Sequence, residues 1–326
     1  MFQNASFSSG TVKRTCLDSP GCNLTRWKPR SNVSLSVHPE VDFLHTYRQW
    51  VANVDDALNA ATYGKYLLGA LCRLPVALAA PSLFGIYRQP PRLEGCLVIG
   101  ISQSGQSPDI VAVLAEARHQ GAPTLAITND PASPLAAEGD HLLLLHAGEE
   151  QAVAATKTYT TQLCALAMLS AALEGGEARW AQLSAVPGLV DQAIAANAGV
   201  EGKVDRYRYA DHFAVVGRGF NYSTAFEVAL KMKETSYLVA EPYSPADLLH
   251  GPVAMIDRGF PVLLVAPSGR VYAFYTYNGD NVRELDGSRM LAASLVATSI
   301  ILRWVGSTAA TTVRLLLAST PSWCDR

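Results

Sequence analysis

The sequence predicts an α/β fold built on mostly parallel sheets, and three observations carry that expectation. From about residue 60 onward, short apolar runs alternate with segments of helical periodicity, the sign of βαβ units. A strand, polar turn, helix unit occurs twice, the second about 115 residues after the first, which suggests a duplicated module. Of 326 residues, 49% are hydrophobic and 17% charged, enough apolar side chain for about two cores and too little charge for a disordered chain.

Residues 1–50 form an atypical N-terminal segment, with Ser, Asn, Arg and Pro in no clear period and no strand or helix assignable before Phe43. A helix is expected to begin near Ala60. Residues 97–101 (LVIGI) read as a buried strand, 102–107 as a polar turn and 109–119 as a helix with Ile110, Val113, Leu114 and Ala117 on one face. Residues 124–128 (TLAIT) form the next strand, ended by Asn129, Asp130 and Pro131, and 141–145 a third. A polar loop over 148–156 leads into a helix over 158–173, and a further helical stretch covers 183–196.

The pattern then restarts. Residues 212–216 (HFAVV) form a strand ending in Gly217, Arg218 and Gly219, followed by a helix over 223–237 and a strand over 262–265. Beyond Ser268 the rhythm is lost, with 272–277 strand-like and 290–305 an apolar helix candidate. The organisation expected is a first unit over 51–180, a helical linker over 181–205 and a second unit over 206–326 with a divergent tail.

Lys plus Arg number 26 against 28 Asp plus Glu, a net charge of −2, so no global field favours nucleic acid or an anionic membrane, and any phosphate site must be local. The apolar run 290–302 is broken by Ser294, Thr298 and Ser299 and falls short of the roughly 20 residues a bilayer requires. No apolar core of a signal peptide is visible near the N-terminus. The six cysteines are scattered, with no CxxC pair and no His at zinc spacing, so a cytoplasmic protein without metal or other cofactor is expected.

The strongest local signal is the turn GISQSGQSPD, residues 100–109. At the C-terminal end of a parallel strand, Ser102, Ser104 and Ser107 offer hydroxyls, Gln103 an amide and the following helix its free N–H groups, a combination suited to a dianion. The alternative is a plain turn in which Ser107 caps the helix ahead of Pro108. A second signal lies on the helix after 223, where Glu227, Lys231 and Glu234 at i, i+4 and i+7 share one face. Facing a cleft, Lys231 would hold one carboxylate ionised while the other moves a proton; facing solvent, the stripe is merely self-paired. His250, immediately before a Gly-Pro turn, is either a proton carrier or a capping residue. Residues 149–157 combine small residues with Thr156 and Lys157, as a loop closing over a ligand or as a capped helix start would.

In this order the strings ISQSGQSPD, EEQAVAATKTYTTQL, VVGRGFNYSTAFEVALKMKETSYLVAEPYSPADLLHGPVAMID and PVLLVAPSG resemble the sugar isomerase (SIS) family. The likeness is to the isomerase half of glutamine:fructose-6-phosphate aminotransferases and to stand-alone ketohexosamine deaminases and deglycases. It implies two SIS-type subdomains, each a five-stranded parallel sheet flanked by helices in a flavodoxin-like, doubly wound arrangement. It also implies a hexose 6-phosphate ligand and a homodimer. By position, Ser102, Gln103, Ser104 and Ser107 match the phosphate-binding turn, and Val153 and Ala155 match positions lining the sugar. Glu234 matches the carboxylate that moves a proton between carbons 1 and 2 of the open-chain sugar. Lys231 and Glu227 match its polar neighbours, and His250 the ring-opening histidine supplied across the dimer interface.

Three departures shape the expectation. Fewer than about 60 residues precede the matched region and no Cys follows Met1, so glutamine-dependent ammonia release is not expected. Residues 51–59 (VANVDDALN) stand where the family carries a Gly, Ser and Thr loop, and Asp55 and Asp56 would repel a dianion if they faced it. Residues 311–326 hold no Lys, where the family ends in a segment whose Lys reaches the sugar. The loss of resemblance at both ends fits an altered reading frame or a shortened gene. The expected function is a hexosamine or ketohexose 6-phosphate isomerase-type enzyme, the alternative a non-catalytic sugar-phosphate-binding regulator or an inactive homologue.

Overall fold

The computed structural model describes residues 48–52, 56–150, 154–175, 177–196, 207, 209–257, 259–265 and 315–318. In the first half these form β1 (Arg48–Ala52), α1 (Asp56–Leu71), β2 (Val76–Leu78), α2 (Ser82–Gly85), β3 (Cys96–Ile101) and α3 (Pro108–His119). They continue with β4 (Thr124–Thr128), α4 (Pro134–Glu138), β5 (His141–Leu144), α5 (Lys157–Glu174), α6 (Glu177–Ser184) and α7 (Val186–Ala196). The second half holds β6 (His212–Gly217), α8 (Phe220–Ser236), β7 (Val239–Tyr243), α9 (Pro245–Leu249), β8 (Val262–Val265) and β9 (Leu315–Ala318).

The first sheet has five strands in the order β2-β1-β3-β4-β5, all parallel. Its central strands β3 and β4 are buried at every residue, because a parallel sheet is covered on both faces and needs apolar side chains on each. The strand period of two divides them cleanly. Leu97, Ile99, Ile101, Leu125 and Ile127 join one core with α1, α5 and α7, while Cys96, Val98 and Ala126 join another with Phe84 of α2, Leu114 of α3 and Leu135 of α4. Helix α3 buries the expected Ile110, Val113, Leu114 and Ala117, starts with Pro in its first turn and ends on Arg118 and His119, in keeping with the helix dipole.

The second half repeats the plan. Phe213 and Val215 pack on Ala225, Val228 and Ala229 of α8, and the alternate residues Ala214 and Val216 pack on Leu248 of α9. Its sheet runs β7-β6-β8-β9 among the described residues. Strands β7, β6 and β8 are parallel, but β9 pairs antiparallel to β8. Among the described residues the second sheet thus has three parallel strands and one antiparallel strand, where the resemblance implies five parallel ones. Val262–Val265 is buried at all four residues, so its outer edge needs a partner, and an apolar strand approaching from the tail supplies it in either direction.

Several boundaries differ from expectation. The stretch 51–59 is not one long loop, since Val51 and Ala52 end β1 and Asp56 already begins α1. The linker helix is two helices, and Val186 and Val190 of the second enter the core with α1 and α5. The expected strand at 272–277 and helix at 290–305 lie outside the described residues.

Helix α1 joins the two halves, packing on α5 on one side and on α8 on the other. The Phe220 ring lies 6.2 Å from that of Tyr63 and 6.3 Å from that of Tyr66, and Asn59 is hydrogen-bonded to Glu227. Positions rising along α1, from 59 to 63, meet positions falling along α8, from 227 to 220, so the helices run antiparallel.

Candidate active site

In a doubly wound sheet the crevice opens where the chain reverses its direction of growth, at the C-terminal ends of the strands flanking that point. Here β1 proceeds outward to β2 and β3 proceeds the other way to β4, so the crevice lies above β1 and β3. The Ser102 to Ser107 turn follows β3 and occupies that edge. Asp55, on the loop after β1, lies outside the described residues, and Asp56 is the first residue of α1.

The turn is internally bonded. Ser102 is buried, its N–H donates to the Ile127 carbonyl at 3.1 Å, and its Oγ accepts the Gly105 N–H at 3.1 Å. Ser104 Oγ accepts the Gln106 N–H at 3.3 Å. Ser107 occupies the cap position of α3 in extended conformation, yet its hydroxyl makes no cap hydrogen bond, unlike Ser133 and Ser244, which cap α4 and α9. The first N–H groups of α3 are therefore left without the side-chain cap that the plain-turn alternative requires. Gly105 sits at φ +65°, and a Cβ there would fall 2.5 Å from Ser133 Cβ and overlap its Oγ.

Sequence reasoning read Asn129 only as a strand terminator, and the fold gives it more to do. The Gln103 carbonyl accepts the Asn129 N–H at 3.0 Å and the Thr128 hydroxyl at 3.2 Å. The Asn129 side chain donates to the Gly148 carbonyl at 2.7 Å and accepts the Ala147 N–H at 2.9 Å. One residue thereby ties together the loops that follow β3, β4 and β5. No local signal distinguishes such a bridging Asn from a turn Asn, because its partners are set by sheet order.

Val153 lies outside the described residues, and Ala155 is half-buried just before α5. The start of α5 is held by Glu150, which accepts from Thr158 Oγ1 at 3.1 Å and lies 3.6 Å from Lys157 Nζ, while Lys157 also donates to the Glu149 carbonyl. Thr156 makes no cap hydrogen bond.

On α8 the spacing of Glu227, Lys231 and Glu234 produces contact. Lys231 Nζ donates to Glu234 Oε2 at 2.7 Å and lies 3.5 Å from Glu227 Oε1. The stripe does not face solvent along its length: the side chains are 0%, 10% and 31% exposed for Glu227, Lys231 and Glu234, a file running from the interior outward. Glu227 Oε2 accepts from Asn59 Nδ2 of α1 at 2.9 Å. The antiparallel register carries the next turns of α8, with Lys231 and Glu234, past the N-terminus of α1 and so toward the loop end of β1, where the crevice lies. His250 is exposed at the C-terminal end of α9; its backbone N–H bonds to Ala246 and Asp247, and its imidazole takes no hydrogen-bond or ion-pair partner among the described residues.

Among the described residues no group of three or more His, Cys, Asp or Glu side chains converges as a metal site, and no helix is long and apolar enough to cross a membrane.

A duplicated, doubly wound α/β chain, with a hydroxyl-rich turn at one switch point and a partly buried file of charged residues on α8 bonded to α1 of the first half, defines the class. The SIS domain family matches residues 90–172 and again 207–288, and the chain belongs to that family. The glutamine–fructose-6-phosphate aminotransferase (isomerizing) of Thermus thermophilus is 35% identical over 272 residues, covering 80% of this chain and 44% of the relative. The chain thus spans less than half the length of that relative. Among solved structures, a Silicibacter pomeroyi protein assigned as a phosphosugar isomerase has a TM-score of 0.69 at 33% identity, covering 80% of this chain and 84% of that one. The C-terminal domain of the glucosamine-fructose-6-phosphate aminotransferase of Francisella tularensis has a TM-score of 0.70 at 25% identity, covering 81% of this chain and 83% of that one.

Proposed function

We propose that this SIS-domain protein is a hexosamine or ketohexose 6-phosphate isomerase-type enzyme, coupling aldose–ketose isomerisation to amino transfer or to deamination of an amino-sugar phosphate. The observation that carries the reading is the Glu227–Lys231–Glu234 file, buried at one end and open at the other, on a helix that runs antiparallel to α1 and is bonded to it through Asn59. Buried charge is costly and is retained where chemistry uses it. The names of the similar proteins, an isomerizing aminotransferase and a phosphosugar isomerase, support the same class.

In this reading Ser102, Gln103, Ser104, Ser107 and the N-terminus of α3 hold the phosphate, fixing the distance to carbons 1 and 2. Val153 and Ala155 line the sugar. Glu234 takes the proton from one of those carbons and returns it to the other, and Lys231, fixed by Glu227, offsets the charge that the carboxylate regains and loses. His250 assists ring opening from the partner subunit of a cytoplasmic homodimer. With glucosamine 6-phosphate the balance is loss of the C2 proton, its delivery to C1, and hydrolysis of the resulting imine to fructose 6-phosphate and ammonia.

The test is incubation of the full chain with glucosamine 6-phosphate, following ammonia and fructose 6-phosphate, beside Glu234→Gln and a thermal-shift titration with the same ligand. Turnover that vanishes in the variant while the ligand shift persists is the expected result. A shift without turnover in the native chain would favour a sugar-phosphate-binding regulator, a reading supported by the absence of Lys from residues 311–326. No shift at all would refute both.

A further inference from the structure

Glu227 is fully buried, and the hydrogen bond from Asn59 Nδ2 to its Oε2 spans 168 residues of sequence and the seam between the two halves. Asn59 is itself buried, at 5% exposure, one turn from Tyr63, whose ring meets Phe220 at the start of α8. An amide at this place is not explained by packing alone, since an apolar residue would suit a helix–helix seam at lower cost unless the donor is used. The other oxygen of that carboxylate lies 3.5 Å from Lys231 Nζ, which in turn lies 2.7 Å from Glu234 Oε2.

Resting on the proposed function, we infer that Asn59 is a positioning residue. Its amide, fixed on the first half, holds the Glu227 carboxylate and thereby registers Lys231 and Glu234 of the second half against the crevice of the first. The reacting carboxylate and the phosphate turn lie on different halves of the chain, and this bond is a fixed strut between them. Asn59 touches neither the phosphate turn nor Glu234, so its loss disturbs the proton-transfer step and leaves substrate capture in place.

The experiment compares the native chain with Asn59→Asp, an isostere that replaces the donor with a carboxylate, and with Asn59→Ala, which removes the donor without adding charge. A third variant, Asn59→Asp with Glu227→Gln, reverses the hydrogen bond and moves the negative charge away from Lys231. Four quantities are read: Tm, kcat and KM with glucosamine 6-phosphate, and the 15Nζ ammonium resonance of Lys231, assigned by its absence in Lys231→Met. In either single variant kcat falls by about 10- to 100-fold while KM stays within about threefold, as a displaced acid–base group requires, and the Lys231 resonance broadens. The reversed pair recovers Tm but neither kcat nor the resonance. A single variant that lowers Tm while leaving kcat and the resonance unchanged would overturn the inference and make Asn59 a packing contact, and a reversed pair that restores Tm, kcat and the resonance would overturn the part assigned to the Glu227 carboxylate, leaving a strut whose charge is not used. If Asn59→Asp does not fold, Asn59→Ala decides on the same terms. If the native chain turns over no substrate, the enzyme reading fails separately, and the resonance alone decides: kept in the single variants it refutes the strut, lost it supports it.

Discussion

Gly105→Ala is the most demanding single test of the turn that follows β3, because two independent costs fall on one methyl group. At φ +65° a non-glycine residue costs roughly 1–2 kcal/mol. The new Cβ also lands on Ser133, which is only 1% exposed and cannot swing aside freely: its hydroxyl donates to the Asp130 carbonyl at 2.8 Å and accepts the Ala136 N–H at 3.3 Å. Relieving the overlap means breaking those bonds, at about 1 kcal/mol each, or straining the backbone. The sum is about 3–4 kcal/mol. Gly121→Ala is the matched control, since its φ is +75° and nothing lies within 4 Å of the added Cβ, so it carries the conformational cost alone, about 1–2 kcal/mol. Urea unfolding of the full chain measures both, and thermal shift with glucosamine 6-phosphate reports whether the turn still binds. If Gly105→Ala is no more destabilising than Gly121→Ala, the turn is not clamped on the β4–α4 loop as described.

Two further outcomes are expected. Asn129→Ala removes two side-chain hydrogen bonds, at 2.7 and 2.9 Å, and should cost about 2–3 kcal/mol while raising KM for a sugar phosphate more than it lowers kcat, because the loops it joins include the turn proposed to hold the phosphate; an unchanged KM in steady-state kinetics would contradict its bridging role. Burial pushes the Tyr63 hydroxyl well above its ordinary value of 10.0, Cys164 adding to the shift, and burial likewise raises the Cys72 thiol above 9.0. Both groups keep their protons longer in the folded chain, so their contribution to stability is level below about pH 9 and falls above it, as the unfolded chain ionises first. Tyr63→Phe should flatten the part of that fall above about pH 10 and cost little near neutrality, since the hydroxyl has no hydrogen-bond partner among the described residues; an equally steep fall in denaturant titrations against pH would show that another group is responsible.

The parts of the fold legible in sequence were those with strong period and clean punctuation. The strands Thr124–Thr128 and Val262–Val265 lie where their unbroken apolar runs put them, and Pro108–His119 starts one residue before its expected place. What escaped was short, polar or at an edge. Arg48–Ala52 carries Arg and Gln, Val76–Leu78 has three residues, and Val239–Tyr243 holds Glu241 and Pro242, which an edge strand tolerates but a propensity reading rejects. The same blindness hid Asn59. With a helix expected to begin only near Ala60, Asn59 fell outside it, and its partner on α8, 168 residues away, has no expression in local pattern. Residues at helical spacing on one element, Glu227, Lys231 and Glu234, could be grouped from sequence; their gradient of exposure could not, since it depends on how α1 covers α8.

That gradient bears directly on function. A stripe of two carboxylates and one ammonium in water would be worth only a few tenths of a kcal/mol and would imply nothing. Here the innermost carboxylate has no exposed surface and the ammonium very little, so desolvation costs several kcal/mol, and the contacts at 2.7, 2.9 and 3.5 Å act against that cost. An apolar seam between α1 and α8 would hold the halves together as well, and the Tyr63, Tyr66 and Phe220 rings one to two turns away do so. In the proposed reading the charges serve Glu234 at the open end, which the buried Lys231 ammonium holds at 2.7 Å in a fixed place for proton transfer to and from a substrate carbon.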